Sequence, residues 1–175
     1  MPISGEFFKE FLRRASAIQK ECETFCHKKG GATWRLPELY DSLITESELI
    51  AVTRRLFLDG HYTQAIEEAY KLLNNSVKYR ANVSNDGSSL MKSVFSINNP
   101  CLRINGLKTQ TQRDQQLGYM EIMSGCMIGI RNPRAHEHNF RDDPSTALEL
   151  LTLANHLLRV VRRSSKSRRR KQRSP

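Results

Sequence analysis

An arginine and a histidine stand five residues apart towards the end of the chain, and a proline lies between them. The run reads Arg131-Asn132-Pro133-Arg134-Ala135-His136. Arginine carries a permanent, forked positive charge that suits a phosphate group. Histidine can give or take a proton near neutral pH. The pair therefore predicts chemistry on a phosphodiester.

The spacing of this pair depends on the local backbone. In an uninterrupted helix, residues five apart point about 140° away from each other. Pro133 lacks a backbone donor and disfavours the α conformation at Asn132, so it predicts a break. We expect Arg131 to end one helix, Asn132 to cap the next turn and His136 to fold back beside Arg131. The alternative is that Arg131 pairs with an acid such as Glu137 and that His136 is a partly buried, hydrogen-bonded residue.

The surrounding sequence is dominated by apolar residues at spacings of three and four, which predict amphipathic helices. Asp143 followed by Pro144 is typical of a helix start. Gly125 and Gly129 suggest a close approach by another helix, within the bundle or between subunits. The predicted helices cover about 7–25, 46–57, 62–77, one or two turns at 90–95, 112–130, and Pro144 to Val161.

No strong strand pattern interrupts these helices. Residues 82–89 predict a turn, and residues 97–108 carry Asn-Pro and Asn-Gly pairs that are typical of loops or a short hairpin. The fold class predicted is all-α: an antiparallel bundle of four to five helices with a short irregular or hairpin insertion. We divide the chain into an N-terminal helix and loop (1–45), a helical domain (46–161) and a basic tail (162–175).

The net charge of +10 is concentrated at the C-terminus. Nine of the 28 Lys and Arg residues lie from Arg159 onward, where the chain has no acid, so the part before Arg159 is nearly neutral. The tail is rich in Ser and Arg and poor in apolar residues, which predicts disorder. It either adds salt-sensitive affinity for RNA or anionic surfaces, or it is solvated without a required role.

Composition predicts a cytoplasmic protein with one main domain. The chain has 175 residues, 38% of them hydrophobic, and contains neither a long apolar stretch nor an N-terminal secretion signal. Its cysteines are expected to be reduced. Cys22 and Cys26, with His27, form an incomplete zinc pattern, so we expect no metal and no cofactor. The four cysteines are Cys22, Cys26, Cys101 and Cys126.

With these features together, the chain resembles the HEPN superfamily, whose signature is an arginine, a polar residue, about three variable residues and a histidine. Arg131, Asn132 and His136 occupy those positions. The chain is also similar to a bacterial Ymh-like branch over roughly residues 49–158. That similarity rests on the run Leu56 to Tyr62, on Ala65 and Ala69, and on Gly125 to Ile130.

The resemblance implies a helical bundle that dimerises and, in many members, a metal-independent endoribonuclease of toxin–antitoxin or antiphage systems. An antitoxin or regulatory protein would then be a partner, and membrane insertion is not expected. Such cleavage must deprotonate the ribose 2′-hydroxyl, protonate the departing 5′-oxygen and stabilise charge on phosphorus. One arginine and one histidine cannot easily do all three, which favours a site made by two copies.

We assign His136 to proton transfer, Arg131 to charge stabilisation, and Asn132 to orienting the phosphate or the histidine. Arg134, Glu137 and His138 are auxiliary candidates. The expected products carry 2′,3′-cyclic phosphate and 5′-hydroxyl ends. The alternative function is a non-catalytic helical module that binds nucleic acid, a nucleotide or a protein.

Overall fold

The computed structural model describes residues 36–137 and 139–167 of the chain. These residues form an all-α helical bundle, as the apolar periodicity predicts. The predicted helix at 7–25 lies outside the described residues. The helices are α1 (Leu36–Leu43), α2 (Ser47–Leu58), α3 (Tyr62–Ala81), α4 (Gly87–Val94), α5 (Gln110–Gly125), α6 (Asn132–His136) and α7 (Pro144–Arg163). A π-helical segment (Cys126–Arg131) joins α5 to α6, and two short strands are β1 (Leu102–Arg103) and β2 (Ser165–Lys166).

Helix α3 is the centre of the bundle, where it packs against α2, α7 and the π-helical segment. The break predicted before it is confirmed, because Gly60 adopts a positive φ of 82° that other residues rarely take. The amide of His61 then donates to the carbonyl of Leu56 at 2.8 Å, which closes the end of α2. The buried side of α3 carries Ala65, Ile66, Ala69, Tyr70, Leu73, Asn74 and Val77.

Helix α7 begins as predicted. The Asp143 carboxylate accepts hydrogen bonds from the amides of Ser145 (2.9 Å) and Thr146 (3.0 Å), and Pro144 occupies the first turn. Further along the helix, the buried Asn155 carbonyl oxygen accepts from the amides of Thr45 and Glu46, both at 2.9 Å. Asn155 therefore fixes the two residues that precede α2 from a neighbouring helix.

Helix α1 packs in the same bundle as the later helices. The first described helix of the bundle therefore begins at Leu36, before the boundary that we predicted at Glu46. Tyr40 is fully buried and lies 5.1 Å from Phe57 between ring centroids. Its hydroxyl is hydrogen-bonded to Thr53 at 2.7 Å. Tyr40 and Ile44 are part of the same apolar core as the later helices.

Of the two alternatives for residues 97–108, the irregular insertion is confirmed and the hairpin is wrong. Strand β1 lies there, but it pairs antiparallel with β2 near the C-terminus, Leu102 opposite Lys166 and Arg103 opposite Ser165. The rest of the insertion is held by the fully buried side chain of Gln116, which accepts from the Ile104 amide at 2.9 Å. Gln116 also donates to the carbonyls of Phe95 and Leu102, each at 3.0 Å. Its amide thus replaces the main-chain partners that a hairpin would supply.

Two further boundaries differ from prediction. The turn expected at 82–89 is shorter, because α4 already begins at Gly87. The disorder expected from Arg162 onward is wrong for 162–167, where α7 continues through Arg163 and β2 pairs with β1. Backbone pairing with a distant loop is the physical reason, since composition reports nothing about such a partner. Residues 168–175 lie outside the described residues.

Candidate functional site

The backbone around Pro133 stays helical, so the predicted break is wrong. Arg131 (φ −71°, ψ −50°) and Asn132 (φ −61°, ψ −44°) both have right-handed helical angles. The Asn132 amide donates to the carbonyl of Met127, five residues earlier, which is the π-helical pattern. A proline ring clashes with the carbonyl four residues before it in an α-helix. The wider π-helical turn is a natural way to accommodate that ring.

One continuous exposed face runs along α5, the π-helical segment and α6. We call it the exposed stripe, and its residues recur at spacings of three and four, as on one helix face. Ile122 and Ile128 are 47% and 55% exposed, which is unusual for side chains of this kind. The exposed stripe comprises Gly118, Ile122, Gly125, Ile128, Gly129, Asn132 and His136.

The glycines of this stripe do not serve the packing that we predicted. A Cβ atom placed at Gly125 or Gly129 would meet no heavy atom within 4 Å, and the same holds for Gly118. No described helix of this chain approaches them closely, so the interpretation of packing within the bundle is wrong for the helices that the structure describes. The subunit-contact alternative is not touched by this observation.

His136 lies at the end of the exposed stripe, one helical turn after Asn132. Both side chains are exposed, and residues four apart share a helix face. Among residues 36–137 and 139–167, none forms a hydrogen bond or ion pair with the His136 ring. The alternative of a partly buried, satisfied histidine is therefore wrong.

Arg131 faces inward from the same turn. Its Nε atom is buried and has no hydrogen-bond partner among the described residues. It lies within electrostatic reach of Asp86, just before α4. The pKa of the Asp86 carboxyl is held below its usual range, chiefly by a hydrogen bond from the Asn74 side chain and also by the charges of Lys78 and Arg131. Arg131 thus has an acidic neighbour without a direct ion pair.

Asn74 and Asp86 are the residues near Arg131 that the sequence did not indicate. The Asn74 amide donates to Asp86, and its carbonyl oxygen accepts from the Gly87 amide at 2.9 Å. Asn74 is buried on α3, where the apolar pattern gave no reason to single it out. Asp86 stood in a predicted turn, where an aspartate is ordinary. The only sign in the sequence was that Asn74 is a polar residue among the apolar residues on the buried face of α3.

Arg134 has a different task from the one proposed for it as an auxiliary. Its guanidinium forms a two-point ion pair with Asp142, with Nε 2.9 Å from Oδ2, and the two side chains are only 5% and 3% exposed. It also donates to the carbonyl of Ile130 at 2.8 Å and lies 4.7 Å above the Phe140 ring. Arg134 therefore fastens the 139–143 segment to the motif.

The other auxiliary candidates contribute little that the structure reveals. Glu137 is exposed, its amide donates to the Pro133 carbonyl at 2.9 Å, and its carboxylate forms no ion pair with Arg131. His138 lies outside the described residues. Within the described ranges, no group of His, Cys, Asp and Glu is arranged to hold a metal.

Cys126 lies beneath the motif but is a poor nucleophile. Burial raises the pKa of its thiol to about 11, although a hydrogen bond with Tyr70 acts in the opposite direction. The thiolate would be scarce at neutral pH, and the thiolate is the reactive form. Burial likewise raises the pKa of Tyr70, whose hydroxyl donates to the Leu150 carbonyl at 3.0 Å.

No helix in the described ranges is long and apolar enough to cross a membrane. Searches of curated proteins and of solved structures gave no match to the chain. A family model described as "Protein of unknown function (Hypoth_ymh)" matches residues 45–161, which span the bundle from the start of α2 into α7 and include the whole motif. Because that match covers more than half of the 175 residues, the chain belongs to the Hypoth_ymh family.

Proposed function

We propose that this protein is a metal-independent endoribonuclease of the HEPN type. The observation that carries the proposal is the arrangement of one helical turn. It presents Asn132 and His136 to solvent on one face, and it carries a permanent cation, Arg131, whose Nε is buried without a hydrogen-bond partner among the described residues. The same turn thus combines an exposed group that can transfer protons with a half-buried cation of the type that binds phosphate.

In the proposed reaction, a histidine removes the proton of the ribose 2′-hydroxyl, and the 2′-oxygen attacks the adjacent phosphorus. The bond from phosphorus to the 5′-oxygen then breaks, and that oxygen takes a proton. The products are a 2′,3′-cyclic phosphate and a 5′-hydroxyl. His136 transfers protons, Arg131 stabilises the charge on phosphorus, and Asn132 orients the phosphate or the imidazole.

A second copy of the chain completes the site in this proposal. One His136 cannot act as base and acid on opposite sides of the same phosphorus, whereas two related by a two-fold axis can. The exposed stripe supplies a surface for that contact. Its glycines leave open space and its Ile122 and Ile128 side chains are exposed beside the motif. Removal of such apolar surface from water would stabilise the contact between the two copies.

The test of function is cleavage of single-stranded RNA in excess EDTA. The wild-type protein is expected to cut, and end analysis should find 2′,3′-cyclic phosphate and 5′-hydroxyl termini. The double variant Arg131→Ala/His136→Ala, made in parallel, should leave the RNA intact. Intact RNA with wild-type protein, or equal cutting by the double variant, would contradict the proposal and favour the non-catalytic binding module.

The test of the dimer is the variant Ile128→Glu. A buried, unpaired carboxylate at a subunit contact is costly, so we expect a monomer by light scattering and at least a tenfold loss of cleavage. Val52→Glu is the matched control, because Val52 is an exposed apolar residue (38%) on α2. Val52→Glu should keep the wild-type mass and rate. An Ile128→Glu protein that stayed dimeric would show that the contact lies elsewhere.

The biological role that follows is a toxin or an antiphage effector that cuts cellular or phage RNA. Such an enzyme must be restrained when it is not needed. A protein partner that covers the exposed stripe, in the manner of an antitoxin, would block both the dimer contact and His136.

A further inference from the structure

A groove of about 550 Å³ opens on another part of the bundle, and none of its lining residues belongs to the motif. It lies between the start of α2, the end of α3 and the end of α7. The lining residues on which its chemistry depends are Glu46, Glu48, Tyr79, Arg80, Arg162 and Lys166.

Three cationic side chains line the groove: Arg80, Arg162 and Lys166. Arg80 donates from Nε to the Ser164 hydroxyl at 3.2 Å and also to the Ser164 carbonyl, which fixes its guanidinium. Arg162 lies 3.1 Å from the Glu46 carboxylate. Glu46 is buried and also contacts Arg159 at 3.4 Å, so its charge is more than balanced. Lys166 is exposed on β2. Arg80, Arg162 and Lys166 therefore line the groove together with two carboxylates, Glu46 and Glu48, which leaves the lining with a net charge of +1.

Tyr79 distinguishes this groove from an ordinary basic surface. Its side chain is 90% exposed, far more than the other large apolar or aromatic side chains described as exposed. Aromatic rings in proteins gain most of their stabilising energy by burial. A fully solvated ring beside fixed cations is the arrangement with which proteins stack the bases of single-stranded nucleic acid.

The basic tail leaves the bundle at this groove. Strand β2 is held by β1, and the Ser167 amide donates to the Cys101 carbonyl at 2.9 Å. The chain therefore passes Lys166 at a fixed position before residues 168–175 begin. Those eight residues contain five Lys or Arg and no acid. Of the basic residues from Lys166 onward, the structure describes Lys166, which lines the groove together with Tyr79.

We propose that this groove binds single-stranded RNA, with a base stacked on Tyr79 and phosphates on Arg80, Arg162 and Lys166. The binding does not depend on the proposed catalysis; in a ribonuclease it would recruit the substrate. A duplex fits less well, because its bases are already stacked. An acidic peptide would use the cations but would gain nothing from the Tyr79 ring.

The experiment measures fluorescence anisotropy of a labelled uridine oligomer of about 12 nucleotides, a length within the range that such sites cover. All proteins carry Arg131→Ala/His136→Ala in the full chain, so that cleavage is absent and failure of the ribonuclease proposal does not affect the result. Tyr79→Ala should weaken binding about tenfold, whereas Tyr79→Phe should stay within about twofold.

Charge variants test the phosphate contacts. Lys166→Ala should weaken binding about threefold and reduce the slope of log affinity against log salt by about 0.7, the value for one lost contact on a single strand. Glu48→Gln should tighten binding, which a merely structural residue would not do. Lys92→Ala is the control, because Lys92 is an exposed lysine that does not line the groove.

The tail is tested in the full-length chain by replacing its five basic residues after Ser167 with glutamine. Affinity should fall, yet Tyr79→Ala in this background should weaken binding about tenfold again. If Tyr79→Ala has no effect there, the tail alone binds and the proposal is wrong. Equal affinity for duplex RNA, or for a polyglutamate peptide, would also overturn it.

Discussion

Replacing Arg134 by methionine is expected to lower the free energy of unfolding by about 3–5 kcal/mol, the usual cost of removing one partner from a buried ion pair. Methionine keeps an unbranched stem of similar length, so the loss is mainly that of the charge. Asp142, with a side chain only 3% exposed, would be left without its guanidinium partner. Chemical denaturation followed by circular dichroism measures the change.

A matched control exists in the same chain. Arg54 forms the same two-point pair with Asp41, both distances being 2.8 Å, but these side chains are 43% and 48% exposed. Exposed pairs contribute little, so Arg54→Met should change stability far less. The double variant Arg134→Met/Asp142→Leu should recover part of the loss, because it removes the unpaired carboxylate. Equal effects of the two single variants would show that the Arg134 pair is not buried in solution.

Replacing His136 by alanine is expected to reduce the rate of RNA cleavage by about 10²- to 10⁴-fold, the range that a general acid or base usually contributes. Its thermal unfolding temperature should not change, since the side chain is exposed and has no bonded partner among the described residues. Initial rates on a fluorescent RNA substrate in EDTA give the first quantity, and thermal denaturation gives the second.

His156 provides the control for that variant. It is also exposed, but it lies on α7, where its ring stacks on Tyr119 and is hydrogen-bonded to the Tyr119 hydroxyl at 2.8 Å. His156→Ala should leave the cleavage rate within about twofold of wild type, because it removes no proposed proton-transfer group. A His136→Ala enzyme as fast as His156→Ala would remove the histidine from the mechanism.

Local sequence signals predicted α2, α3 and α7 well. Asp143 and Pro144 start α7 because a carboxylate cap and a proline both suit the first turn. Gly60 ends α2 because it accepts a positive φ. These signals act between residues that are close in the chain, so they can be recognised in the sequence without knowledge of the fold.

The features that escaped prediction depend on contacts between distant residues or on a balance of local effects. The β1–β2 ladder joins short strands far apart in sequence, and neither strand has a pattern of its own. The residue type of Gln116 does not indicate that its side chain is fully buried under the insertion. Pro133 could either end a helix or be accommodated within one, and the structure accommodates it after a π-helical turn.

The sequence pointed to candidate site residues, but it predicted their arrangement only in part. The motif identified Asn132 and His136, and the structure exposes both on one face. The surroundings of Arg131 were not predictable, because its acidic neighbour Asp86 lies far away in sequence, before α4, and is held there by Asn74 of α3. Residue type could not predict that Arg131 and Arg134 differ in their contacts, since both are arginines in one short run. The difference is that Arg134 forms a buried ion pair with Asp142.

The β1–β2 ladder also constrains the order of folding. A pair of two-residue strands is too short to be stable by itself, and it would have to close a long loop without help from other contacts. The ladder therefore forms only after α7 has docked on α3 and has brought Ser165 near Arg103. The exit point of the basic tail is thus among the last parts of the molecule to take its final position.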